Sequence, residues 1–146
     1  MSREDRRAQL LDAARAVFVA SGYHAAAMDD IAERAGVSKP VLYQHFPGKL
    51  DLYLALLDQH AAELEQRVRT AMRRTSDNRA RVRAAFDAYF DFVGGEGQAF
   101  RLVLESDLRS DPRVRERVER SVGACIDAVA EVIAEDTGTT PARARL

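Results

Sequence analysis

Residues 28–54 read MDDIAERAGVSKPVLYQHFPGKLDLYL, and their spacing predicts two short helices joined by a tight turn and followed at once by a longer apolar helix. Met28, Ile31, Ala32 and Ala35 recur at helical spacing, and Gly36 supplies a permissive backbone at which the first of these helices can stop. Ser38 offers a hydroxyl to cap the next helix, and Pro40 falls in its first turn, where no amide proton is needed. That helix is predicted to run from Lys39 to about Phe46. Two such helices around a short Gly-containing turn form the helix-turn-helix pattern, whose second helix enters the major groove of DNA.

The side chains of the second helix suit a duplex. Val41 and Leu42 are expected to pack inward, which leaves Lys39, Pro40, Tyr43, Gln44 and His45 pointing outward. Lys39 and Gln44 are assigned to base edges and Pro40 to a thymine methyl, while Ser38, Tyr43 and His45 are assigned to phosphate oxygens. A helix of about eight residues spans about 12 Å, which matches the width of the major groove. Lys49, just past the Pro47-Gly48 turn, is expected to begin the following helix with its charge and free backbone amides aimed at a phosphate.

Gly36-Val37-Ser38, Leu42-Tyr43, His45-Phe46 and, after a two-residue gap, Lys49 resemble the DNA-binding signature of the TetR/AcrR transcriptional repressors. With Gly22-Tyr23 and Ile31-Ala32 included, the resemblance covers roughly residues 5–57. One departure stands out: Ala26 and Ala27 occupy the positions where the family usually opens its second helix with Thr or Ser. Losing a cap costs about 1 kcal/mol, and Asp29 and Asp30 in the first turn partly offset it through the helix dipole.

The resemblance implies an all-α fold. Residues 1–48 would form a three-helix, helix-turn-helix DNA-binding domain, joined through the fourth helix to a helical ligand-binding and dimerisation domain over 49–146. It also implies a sequence-specific repressor that binds a palindromic double-stranded operator as a homodimer and is released by a small-molecule effector, with no cofactor and no metal.

Nearly half of the 146 residues are hydrophobic, enough for a substantial core, yet charges interrupt them throughout. No apolar run approaches the roughly 20 residues that a membrane helix needs, and the charged start MSREDRRAQ lacks a secretory signal, so a cytoplasmic protein without a membrane partner is expected. The lone Cys125 falls in an apolar helical stripe and reads as a core thiol. The formal net charge is −1, and residues 1–60 hold seven Lys and Arg against eight Asp and Glu. Any DNA binding must therefore be local and geometric, with Arg3, Arg6 and Arg7 as basic neighbours of the site. No P-loop, dinucleotide glycine fingerprint, nucleophile elbow or metal-spaced Cys/His cluster is present, and His24, His45 and His60 lie apart in the chain, so no enzyme is expected.

Along the chain, Ser2 and Asp5 resemble a capping box for a first helix that buries Leu10, Leu11, Ala14, Val17 and Phe18 and ends at Ser21-Gly22. The fourth helix, from Lys49, bears Leu50, Tyr53, Leu54, Leu57, Ala61 and Leu64 and turns polar by Arg67; His60 on it is a surface or packing residue. Residues 67–83 hold seven arginines and one acid, read as solvated helix ends flanking a loop at 75–78, with a second nucleic-acid patch as the minority reading. A fifth helix is predicted over 79–93 with Phe86, Tyr89, Phe90 and Val93 on its apolar side and Phe92 beside them, and a further one over 98–108 with Phe100, Leu102, Val103 and Leu104. The rings Phe86, Tyr89, Phe90 and Phe100 with Leu104 are the candidate wall of an effector pocket, although plain core is the simpler reading. Asp111-Pro112 opens a last long helix with a stripe from Val114 through Val122, Cys125 and Ile126 to Ile133, closed by Gly138. Thr140-Pro141 then signals another helix just before Leu146, so a C-terminally shortened chain is expected. The alternative function is a shortened interaction module that pairs with itself or a relative and binds DNA weakly.

Overall fold

The computed structural model describes residues 1–94 and 110–137. Six helices are found among them: α1 (Arg3–Ser21), α2 (Met28–Ala35), α3 (Lys39–His45), α4 (Lys49–Met72), α5 (Asn78–Gly94) and α6 (Pro112–Thr137). The helix expected over 98–108, with Phe100 and Leu104, and the one expected to open at Thr140 lie outside the described residues.

Local chemistry sets the ends of these elements. The Ser2 hydroxyl accepts the Asp5 amide proton at 3.1 Å and caps α1, which stops at Gly22, where φ is +79°. Ala27 gives α2 no side-chain cap, as its methyl requires, and Asp29 and Asp30 supply negative charge in the first turn instead. At the other end of α2 the Val37 amide donates to Ala32 and the Gly36 amide to Glu33, each at 3.1 Å. These two bonds make a Schellman turn around Gly36, whose φ is +70°. Gln9 of α1 reinforces it, donating from Nε2 to the orphan carbonyl of Ala35 at 2.7 Å. Asp111 caps α6 by accepting the Arg113 amide proton at 2.8 Å.

Two cores share α4. The first gathers Leu10, Leu11, Ala14, Val17 and Phe18 of α1, Ile31 and Ala32 of α2, Leu42 and Phe46 from around α3, and Leu52–Leu57 of α4. Val114 from the first turn of α6 is fully buried in the same cluster, so α6 is anchored in this first core, the core of the head formed by α1–α3 and the start of α4. The second core lies along the rest of α4, where Leu64, Val68 and Met72 meet Ala85 and Phe92 of α5 and Ala128 and Val132 of α6. Arg117–Asp58 at 3.0 Å and Arg69–Glu131 at 2.9 Å tie α6 to α4 across these contacts. Arg81, itself buried, donates to the Thr75 carbonyl at 2.8 Å and to Val132 at 3.5 Å, closing the α4–α5 turn onto α6. Cys125 is half-buried against the second core; burial and then Glu65 push its thiol pKa up, which keeps it protonated.

The sequence reading of α5 is corrected here. Phe92, expected beside the apolar face, is fully buried, whereas Phe86 and Phe90 are 59% and 64% exposed. Apolar residues surround most of this helix, and the face that packs is chosen by Arg81, Ala85 and Phe92, which line up at spacings of four and seven. The long stripe expected on α6 splits in the same way: Val114, Ser121, Ala128 and Val132 are buried, and Val122 and Ile126 are exposed.

His60 lies at the junction of the two cores, 5% exposed, with its ring edge-on to Phe92 at 6.0 Å; the Arg67 guanidinium covers Phe92 at 5.4 Å. Burial lowers the His60 pKa, which Glu63 partly opposes. The unfolded chain therefore binds a proton at higher pH than the native protein does, and stability is lost as pH falls below the ordinary histidine value of about 6.5. We expect Tm to fall progressively on acidification through that value and the acid limb to flatten in His60→Leu, measured by thermal circular dichroism.

Candidate nucleic-acid interface

The site is built on α3, seven residues long. Its inner side is Leu42, fully buried, continued by Phe46 at 3% exposure. Ser38 caps it, its hydroxyl accepting the Val41 amide proton at 3.5 Å, and Pro40 occupies the first turn. With one side committed to the core, Lys39, Pro40, Tyr43 and Gln44 are left exposed on the other, Ser38 is exposed at the cap, and His45 is half-buried at the C-terminal end. Tyr43 shows 47% of its surface, a large exposure for an aromatic ring on so short a helix.

Both lysines of the site are engaged within the protein. The Lys39 ammonium meets Asp29 Oδ1 of α2 at 2.8 Å, and the hydrogen bond to Asp29 pushes the Lys39 pKa up, so it stays charged. The Lys49 ammonium donates to the His24 carbonyl at 3.3 Å and rests over the Tyr23 ring at 4.5 Å. Tyr23 is held edge-on to Tyr53 at 5.2 Å and packs against Phe18 at 5.7 Å. Burial and then the Asp111 carboxylate of the α6 cap raise the Tyr23 pKa. Lys49 is thus seated on a ring that packs against the first core. Gly48, which precedes it, brings no side chain to cap α4. Of the other basic residues proposed near the site, Arg7 lies over the Phe46 ring at 4.8 Å, beside the end of α3.

Four of the residues expected to point outward, Lys39, Pro40, Tyr43 and Gln44, are therefore exposed together on α3, whereas His45 is half-buried toward the Leu42 side; Lys49 starts the next helix. Tyr23 and the Asp29–Lys39 pair were missed as parts of this site. Nothing local signals either one, because each pairing joins different helices or a loop and a helix. In the effector-pocket set, the Phe86 and Phe90 rings stack on the exposed side of α5 with centroids 6.5 Å apart, and Tyr89, half-buried against the second core, is edge-on to Phe90 at 5.6 Å. Among the described residues no group of three or more metal-ligating side chains is gathered, and no helix is long and apolar enough to cross a membrane.

A capped helix pinned by one buried face, presenting an amide, a phenol and an ammonium from the other after a Schellman turn, defines a helix-turn-helix DNA-binding protein. Comparison with known proteins narrows this. Residues 10–56 match the family of bacterial regulatory proteins, tetR family. The chain is 53% identical over 146 residues to the HTH-type transcriptional activator FasR of Mycolicibacterium smegmatis, covering 100% of this chain and 67% of that protein. A TetR-like transcriptional regulator from Rhodococcus superposes with a TM-score of 0.70 at 26% identity, covering 99% of this chain and 76% of that one. The fatty acid degradation regulator FadR from Bacillus halodurans shares the fold, with a TM-score of 0.77 at 21% identity over 99% of this chain and 79% of that one. The chain belongs to the tetR family of bacterial regulatory proteins, and it is a DNA-binding transcriptional regulator.

The turn that aims α3 yields a clean test. A Cβ on Gly36 would meet nothing within 4 Å, so the cost of a side chain there is the left-handed backbone alone. Gly36→Ala should destabilise the head by about 1–2 kcal/mol, read as a lower denaturation midpoint with an unchanged m-value.

Proposed function

We propose that the chain reads a palindromic operator as one half of a homodimer in the cytoplasm, with each α3 in a major groove, and that a small molecule taken up by the helical body changes this binding. The observation that carries the reading is the row of exposed Lys39, Pro40, Tyr43 and Gln44 opposite the buried Leu42. In this reading Lys39, Pro40 and Gln44 meet base edges, and Ser38, Tyr43, His45 and Lys49 meet phosphates. Residues 1–48 are the DNA-binding unit and 49–146 the regulatory one, with α4 shared by both cores. The chain is a regulator and not an enzyme, a reading that rests on its family.

In this reading signal transfer follows the packing between α6 and the first core. Val114 is seated in the head core, and Tyr23, on which Lys49 rests, packs against the same core. A shift of α6 in the body would thus be felt at a phosphate-contacting lysine, and an effector that prefers one arrangement would change the spacing of the two α3 helices. Phe86, Tyr89 and Phe90, with Phe100 and Leu104, are the set proposed to receive that effector. Repression, which the resemblance implies, and activation, which the M. smegmatis relative has in its name, use the same contacts. They are separated by mapping whether the operator overlaps a promoter or lies upstream of one.

The exposed Val122 and Ile126 favour self-association, since apolar side chains gathered on one face are seldom left in water. Ile126→Lys should shift gel-filtration elution toward the monomer and weaken operator binding, and an unchanged elution would place the dimer contact elsewhere. For the DNA contacts, duplexes selected in vitro from a randomised pool supply the operator. Tyr43→Ala and Lys49→Ala should weaken binding to selected and scrambled duplexes alike, whereas Gln44→Ala and Lys39→Ala should relax preference at particular base pairs by about 1–3 kcal/mol each. Finding these classes exchanged would overturn the assignment of roles, and a selection that returns no consensus would favour the interaction-module alternative.

A further inference from the structure

We propose that Asp29 is a specificity-determining residue: through its ion pair it directs the Lys39 ammonium toward a base edge and withholds that charge from the phosphates of non-cognate DNA. The inference rests on the reading of α3 as the groove-entering helix. Asp29 lies in the first turn of α2 and Lys39 opens α3, and the Schellman turn at Gly36 folds the start of α3 back beside the start of α2, where the two charged groups meet at 2.8 Å.

The pair is not there to hold the fold together. Its side chains are 58% and 64% exposed, and exposed ion pairs add little to stability. Its effect falls on the binding surface instead. Lys39 is the first residue of α3, where the helix dipole disfavours a cation, and the carboxylate removes that penalty. The head is poor in positive charge, with seven basic against eight acidic residues over 1–60, yet one of its two lysines has its charge offset by Asp29.

On a duplex the two kinds of contact then separate. A lysine ammonium has three donors. With one given to Asp29, two remain in a defined direction for a purine acceptor. A phosphate has no comparable way in, because binding it close to Lys39 brings it close to the Asp29 carboxylate as well. Asp29 thus subtracts from binding that depends on phosphates alone and spares binding that satisfies a base. The device works against wrong partners more than for the right one.

The test uses the full chain, a duplex selected from a randomised pool and a scrambled duplex of equal length, with affinities measured by fluorescence anisotropy across a salt series. Asp29→Asn should tighten binding to the scrambled duplex by up to about fivefold and steepen its log–log salt dependence by about one. The selected duplex should gain less, so the preference narrows. In a Lys39→Gln background the same change should do no more than Asp30→Asn, which removes the neighbouring acidic charge. Far-UV circular dichroism and Tm confirm that each variant keeps its fold. An unchanged preference in Asp29→Asn, an equal shift in the Lys39→Gln background, or an equal shift from Asp30→Asn would overturn the proposal. If wild type fails to prefer its selected duplex, the reading of α3 falls first and this inference falls with it. If wild type discriminates but Asp29→Asn does not narrow the preference, only the role of Asp29 is lost.

Discussion

A helix of seven residues does not hold its shape in water, because helix nucleation is costly and isolated helices shorter than about 12 residues are marginal. α3 persists because Leu42 and Phe46 are sealed into a core made by α1, α2 and the first half of α4. The exposed face of α3 is tied to that burial. The same turn of helix that hides Leu42 sends Lys39, Tyr43 and Gln44 outward. The Schellman turn at Gly36 and the Ser38 cap contribute the angle at which the helix leaves, and the core contributes its permanence.

Electrostatics at this surface is organised by placement and not by quantity. Lys39 is held by Asp29, and Lys49 by the Tyr23 ring and the His24 carbonyl. Fixing a flexible ammonium before binding lowers the ordering cost when a ligand arrives. For Lys49 the tether is a neutral ring and a carbonyl, so its full charge stays available to a phosphate. For Lys39 the tether is a carboxylate, and the charge is offset. Two lysines ten residues apart in the chain thus have their charge disposed in different ways.

The body is joined to this surface by more than the continuity of α4. Val114 enters the head core from α6, Arg117 reaches Asp58, and Asp111 lies near enough to Tyr23 to raise its pKa. A change in the body that displaces the first turns of α6 acts on a well-packed interior, where small shifts are transmitted and not absorbed.

What was legible in the sequence was whatever acts over a few residues along the chain. The Ser2 and Ser38 caps, Asp111-Pro112, the stops at Gly22 and Gly36 and the inward Leu42 were all readable, and with them the helix-turn-helix and the membership of a family of regulators. The working face of α5 was not. It has apolar residues on most of its circumference, and only packing against α4 and α6 chose Phe92 for the interior over Phe86 and Phe90. The Asp29–Lys39 and Lys49–Tyr23 contacts were equally hidden, because each depends on where a turn sets one element against another. Capping, backbone permissiveness and helical period are properties of neighbours in the chain and so are written in it. The choice among several apolar faces, and the meeting of charges on separate helices, are properties of the packed whole, decided when burying one face excluded the rest.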